Sequence, residues 1–286
     1  MLLAMVLFGL MAPFSKDVLS RGGITGPQLV ALRICGSAIL FWIGSLVIPQ
    51  QRVEKRDLPK IVGASFFGFV MAQGGYIVGL SLTSPINATI ELTTMPIFTL
   101  ILSAIILHER ITARRALGIA LGFTGAILLI TRATAGGGDR PTDFRGDLLI
   151  LVSQMGYAFF LTYFSPVIRK YDAFTFNKWS FTFASLMILP FVGPHIALID
   201  WPALSTSTVG EIIYIVAAAT FFSFLLAVWA QHRLQPTTVS AYNYLQPFVA
   251  VVASVVMGLA VPQWMHAVAA ALIFTGVWLV VNSRRH

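Results

Sequence analysis

Apolar residues dominate this chain in runs about twenty long, parted by short polar breaks. Ten runs can be marked, at residues 1–20, 26–48, 57–80, 84–107, 112–132, 146–166, 173–193, 208–233, 237–259 and 262–282. The hydrocarbon core of a bilayer is about 30 Å thick and takes about 20 apolar residues at about 1.5 Å of rise each. No water reaches the backbone there, so each run has to satisfy its own N–H and C=O groups and is expected to be helical. The pattern predicts an all-α integral membrane protein of ten transmembrane helices. Composition agrees: hydrophobic residues make up 57% and charged residues 10%, against roughly 45–50% and 25% in soluble domains.

The most linker-like stretch is Thr134–Arg145, with Gly136, Gly137, Gly138 and Pro141. It divides the chain into a first five-helix unit (1–132), a linker (133–145) and a second five-helix unit (146–286). The first run lacks the basic start of a signal peptide, and Pro13 and Lys16 stand where cleavage would fall, so it is expected to be retained.

The net charge of +8 resides in the short breaks, which is the positive-inside pattern rather than a nucleic-acid-binding face. With the N-terminus inside, twelve basic residues face the cytoplasm (Arg52, Lys55, Arg56, Lys60, Arg110, Arg114, Arg115, Arg169, Lys170, Arg233, Arg284 and Arg285). Five face outward (Lys16, Arg21, Arg132, Arg140 and Arg145), and both termini are expected to be cytoplasmic. Cys35, the single cysteine, excludes a disulfide framework or a Cys-based metal site.

The two halves are related at an offset of 151 residues: Pro85 falls on Pro236, Pro96 on Pro247, Ser103 on Ser254, Thr124-Gly125 on Thr275-Gly276 and Leu128 on Leu279. A duplicated unit of five spans enters the membrane in opposite senses, so the repeats are inverted. That architecture is common among secondary transporters, whose site lies near the midplane at the repeat interface.

Phe8-Gly9, Arg33, Pro85, Pro96, the run Leu107-His108-Glu109-Arg110-Ile111-Thr112, and Gly118, Gly122, Thr124 and Gly125 together resemble the drug/metabolite transporter superfamily, in its ten-helix, EamA-type exporter branch. The chain departs from that pattern at Phe8, where the family often has Trp, and at His108, where it often has Gly. The resemblance implies an inner-membrane exporter of amino acids and related metabolites, with the aromatic amino acid exporters the nearest group.

Among candidate substrate-binding residues, Asn87, Glu91 and Thr94 share one helical face, and Glu91 is the only acid well inside a run. A charge at a helix centre costs about 2.5–3.5 kcal/mol, so Glu91 is read as a proton-coupling or substrate-ammonium group, or else as a structural hydrogen-bonding group near the outer water. Gln73 with Tyr76, Gln154 with Tyr157, and Tyr242, Asn243 and Gln246 add amides and aromatic rings on three further helices, with Tyr242 and Gln246 on a common face. Amides suit the charged groups of an amino acid and tyrosine rings its side chain; interhelical hydrogen bonding is the plainer reading of each alone. Pro13, Pro96 and Pro247 are candidate hinges or static kinks. The spacings Gly75–Gly79 and Gly118–Gly122 read as helix packing. Arg33 and Lys178 are expected to snorkel to opposite surfaces, with a substrate carboxylate the lesser alternative for Arg33.

No HExxH, Walker loop, GxGxxG or nucleophile elbow occurs. The expectation is a non-enzymatic secondary transporter needing no cofactor, metal or ATP, exporting neutral, aromatic amino acids by alternating access, with protons the candidate coupling ion. Efflux of organic cations with Glu91 as counter-charge is the alternative within the class. A channel or sensory membrane protein is the alternative outside it.

Overall fold

The structure, a computed structural model, describes residues 1–21, 23–82, 91–133, 144–256 and 264–283. Ten helical segments of 12 residues or more occur among them. They are α1 (Leu2–Ser20), α2 (Gly26–Gly44), α3 (58–82), α4 (Met95–Ile106), α5 (Ala113–Ala133), α6 (Phe144–Tyr163), α7 (Ala173–Ala197), α8 (Thr206–Gln231), α9 (236–256) and α10 (Trp264–Val281). The chain is an all-helical membrane protein. Large apolar side chains point outward along it, Leu46, Phe191 and Trp264 each being more than three-quarters exposed (84%, 79% and 76%). That is the inverse of a water-soluble surface, and lipid is what covers it.

Local signals set the helix starts. Thr25 donates its backbone N–H to Gln28 Oε1 (2.7 Å) at the head of α2, Asp172 Oδ1 accepts from Thr175 N–H (2.8 Å) at α7, and Ser205 Oγ accepts from Thr208 N–H (3.2 Å) at α8. Each satisfies an N–H that the first turn leaves without a partner.

Contacts between connections show the direction of each helix. The α4/α5 connection meets the start of α9 through Thr237 and Glu109 (2.7 Å), and the end of α10 meets the start of α5 through Ser283 and Arg115 (2.9 Å). The α2/α3 connection meets the α6/α7 connection through Asp57 and Tyr171 (2.8 Å). All of these lie at one end, here the basic end. Helix α4 finishes there while α9 begins there, and α5 begins there while α10 finishes there. The repeat-related helices thus run antiparallel, as an inverted duplication requires. At the opposite end the α1/α2 connection packs on the α7/α8 connection, with Val18, Ile24, Leu29, Ile199 and Ile212 buried.

Glycine contacts match the GxxxG reading. A Cβ on Gly118 would lie 2.7 Å from the Gly276 carbonyl, and one on Gly276 2.5 Å from the Gly118 carbonyl. The equivalent Thr-Gly pairs are thus part of the seam where α5 crosses α10, which accounts for a repeat signal surviving there. Gly79 meets Ile150 and the Gly146 carbonyl in the same way, bringing α3 onto α6. The largest core is aromatic: Phe69 touches Phe181 (4.7 Å between centroids) and Phe224 (4.9 Å), joining α3, α7 and α8.

Two features depart from regular helix. Residues Phe66–Gly74 of α3 and Tyr214–Phe222 of α8 are π-helical. In α8 the hydroxyls of Thr220 and Ser223 donate to carbonyls five residues back (2.7 and 3.0 Å), filling the wider turn. Such segments are rare and frequent at functional sites. The prolines of α4 and α9 also act alike. Pro96 follows a turn at 93–94, and Pro247 follows a 3-10 turn at Tyr242–Tyr244.

Candidate functional site

The interior charges define the site. Arg33 of α2 is 8% exposed and does not snorkel, contrary to the expectation from sequence. Its Nε–H donates to Thr220 Oγ1 (3.2 Å) in the π segment of α8, and Nη1 donates to Gln73 Oε1 (3.4 Å) in the π segment of α3. Ser37, one turn on, donates to the Val216 carbonyl (3.2 Å). A Cβ on Gly36 would touch Val216 at 2.8 Å, so the glycine allows α2 to lie close against this segment. Counted along the axes, Arg33 and Thr220 both lie about 16 Å from the basic end, near mid-depth. Among the described residues no carboxylate lies within ion-pair distance of Arg33.

Glu91 is buried at 9% exposure, and its backbone carbonyl accepts from Thr94 Oγ1 (2.6 Å). It sits about 22 Å from the basic end by residue count. Asn87, expected on the same face, lies outside the described residues. In α6, Gln154 is buried and donates to Ser153 Oγ (3.2 Å), while Tyr157 stacks on Phe160 (5.6 Å). Tyr76 is partly buried in α3.

In α9 Tyr242 packs against the cluster that holds Met5, which Gln246 also reaches. A 3-10 turn spans Tyr242–Tyr244, and Gln246 Nε2 donates to Asn243 Oδ1 (2.6 Å) and lies 3.5 Å from the Met5 sulfur of α1. Asn243 donates to the Ser240 carbonyl (3.1 Å). Tyr244 is the deeply buried ring of this turn and packs on Gly122. Of the candidates, the structure thus joins Gln73 to Arg33 and Asn243 to Gln246. Pro13 lies within an unbroken α1.

A second polar constellation, at the basic end, carried no chemistry in the sequence reading. His108 adopts φ of 53°, the only positive φ at a non-glycine among the described residues. This explains why glycine suits that position. The turn closes α4, with Glu109 N–H bonding back to the Ser103 carbonyl (3.1 Å), and directs Glu109 toward Arg115. Arg115, 4% exposed, donates to Glu109 Oε2 (3.0 Å), Ser283 Oγ (2.9 Å) and Gln235 Oε1, and Thr237 donates to the same Glu109 oxygen (2.7 Å). Cavities of about 220 and 290 Å³ flank this cluster, the second reaching Ser165 and Arg169 of the α6/α7 connection.

The sequence profile of the EamA-like transporter family matches residues 1–131 and again residues 144–282. The chain belongs to the EamA-like transporter family. As a family member it is a secondary transporter, not an enzyme, and the two matches coincide with the two halves of the bundle. It is similar to an uncharacterized transporter of Archaeoglobus fulgidus, 26% identical and covering 90% of this chain and 88% of that protein. It is also similar to a probable terminal-alkyne amino-acid exporter of Streptantibioticus cattleyicolor, 27% identical over 90% of this chain and 84% of that protein. A solved crystal structure shares the fold at a TM-score of 0.77 and 17% identity, covering 98% of this chain and 96% of that one.

Proposed function

We propose that this EamA-like transporter exports neutral, aromatic amino acids from the cytoplasm by alternating access between its two inverted repeats. The observation that carries the reading is the pair of interior charges. One acid, Glu91, and one base, Arg33, are buried about 15 Å or more from the basic end, deeper than the buried Lys178 near the start of α7, and a neutral amino acid is a zwitterion. Glu91 takes the ammonium group or exchanges it for a proton. Asn87, Thr94, Gln73, Gln154, Asn243 and Gln246 supply hydrogen bonds, and the rings of Tyr76, Tyr157 and Tyr242 hold the side chain. The relative named as an amino-acid exporter supports the substrate class. Positive-inside bias supports a cytoplasmic basic end, and we take the membrane to be a bacterial inner membrane. Pro13, Pro96 and Pro247 serve as hinges, the latter two at matched positions in α4 and α9.

Proteoliposome uptake of labelled Trp, Phe and Thr under an imposed proton gradient tests the reading. Saturable, competed flux is expected, and absence of flux for every amino acid defeats it. Glu91→Gln is expected to remove the proton dependence; an unchanged pH profile rejects coupling through Glu91. The buried acid also favours a second reading, efflux of organic cations, which extrusion lost in Glu91→Gln without any amino acid flux would support. A buried guanidinium in the same interior weighs against a cationic cargo.

A further inference from the structure

We infer that Arg33 is the anionic-group anchor of the transport pathway, gripping the carboxylate of the solute between the π-helical segments of α3 and α8. The inference rests on the transporter reading above, but not on the solute being an amino acid.

A guanidinium offers five N–H donors in a planar fork suited to a carboxylate. At Arg33 the protein uses Nε–H for Thr220 Oγ1 and Nη1 for Gln73 Oε1, and Nη2 makes no hydrogen bond among the described residues. Both partners are neutral, so they aim the fork without cancelling its charge. The residue is buried, too deep for bulk water to solvate its charge fully. A cation buried without a counter-charge is disfavoured, and a carboxylate arriving from solution supplies what the fold withholds. The position fits a carrier. Both partners stand in π segments of corresponding helices in the two repeats, and Thr220 Oγ1 passes the contact on to the Ile215 carbonyl (2.7 Å). A carboxylate bound at Nη2 would therefore be felt by both halves at once.

The test is uptake by full-length protein in proteoliposomes of three solute sets: Trp and Phe; their C-terminal amides; and 3-indolepropionate and 3-phenylpropionate, which keep the carboxylate and lack the ammonium. Two variants accompany the wild type. Arg33→Gln removes the charge, and Gln73→Glu places a carboxylate on the guanidinium from within the protein. The wild type is expected to prefer the free acids over the amides by about 30-fold or more. Both variants are expected to lose that preference. Gln73→Glu, which supplies the missing counter-charge, should melt above the wild type and so answers the question even if Arg33→Gln does not fold. Equal flux of acids and amides in the wild type, or wild-type acid flux in either folded variant, overturns the inference. Flux of the propionates with none of any amino acid upholds Arg33 and overturns the amino-acid reading. No flux of any carboxylate overturns both.

Discussion

Arg33 and Arg115 are the same side chain at nearly the same burial, 8% and 4% exposed, yet their surroundings differ in kind. Arg115, at the basic end, meets a carboxylate, an amide oxygen and a hydroxyl drawn from the α4/α5 connection, the α8/α9 connection and the end of α10. Arg33, in the membrane interior, meets one amide oxygen and one hydroxyl, and no carboxylate among the described residues. The first is neutralised and holds the two repeats together. The second is oriented with its charge left open. At Arg115 the fold supplies the anion; at Arg33 we propose that a solute does.

The largest effects that would break this contrast fall on Arg115. Removing one partner of a buried pair leaves the other uncompensated, at a cost of about 3–5 kcal/mol. Glu109→Gln and Arg115→Gln are therefore expected to lower the melting temperature in lipid nanodiscs strongly, and a double variant to cost less than the sum of the singles. Additive losses would show that the two residues do not act as a pair.

Next comes the pH dependence of the other basic-end cluster. Hydrogen bonds from Lys170 first, then Tyr171 and Lys60, hold the buried Asp57 carboxyl well below the usual carboxylate range, and Asp57 and then Glu54 hold the Lys170 ammonium above its ordinary value. The depressed acid contributes stability above about pH 4, lost as pH falls below that value. The raised base contributes below about pH 10.4, lost as pH rises beyond it. Melting temperature should be flat between these limits and fall outside them, with Asp57→Asn removing the acid limb. An acid limb unchanged in Asp57→Asn would assign it to other carboxylates.

Smaller effects sharpen the picture. His108→Gly relieves a left-handed residue, an arrangement that costs roughly 1–2 kcal/mol, and is expected to raise the melting temperature slightly; a fall would mean that the imidazole contributes more than its backbone costs. Arg169 donates to the Gln231 (3.0 Å) and Leu234 (2.7 Å) carbonyls at the end of α8. Its replacement by Met should cost about 0.3–1 kcal/mol, the range for a basic group at a helix C-terminus. A loss as large as that at Arg115 would mean that this surface arginine matters as much as the buried pair.

Much of the bundle was legible in the sequence because lipid imposes a strong rule: ten apolar runs correspond to ten helical segments, and Pro96 with Pro247 and the two Thr-Gly pairs disclosed the duplication. The site was less legible. Arg33 was expected to snorkel because its partners, Gln73 and Thr220, are 40 and 187 residues away, and no local pattern announces them. The π segments leave no trace in composition, since an apolar run reads alike at either helical period. The 3-10 turn at Tyr242–Tyr244 inside α9 leaves no trace in spacing either. Glu109 was visible as part of a family-like run, but its role needed Arg115, Gln235, Thr237 and Ser283 to meet around it.

The contrast between the two arginines is tested most directly by melting Arg33→Gln and Arg115→Gln side by side in nanodiscs, each with and without saturating Trp. Arg115→Gln should melt well below the wild type. Arg33→Gln should melt at or above it, because a charge without a counter-ion has been removed, and should lose the stabilisation that Trp confers on the wild type. Equal destabilisation by both substitutions, or an Arg33→Gln protein that Trp still stabilises fully, would contradict the account.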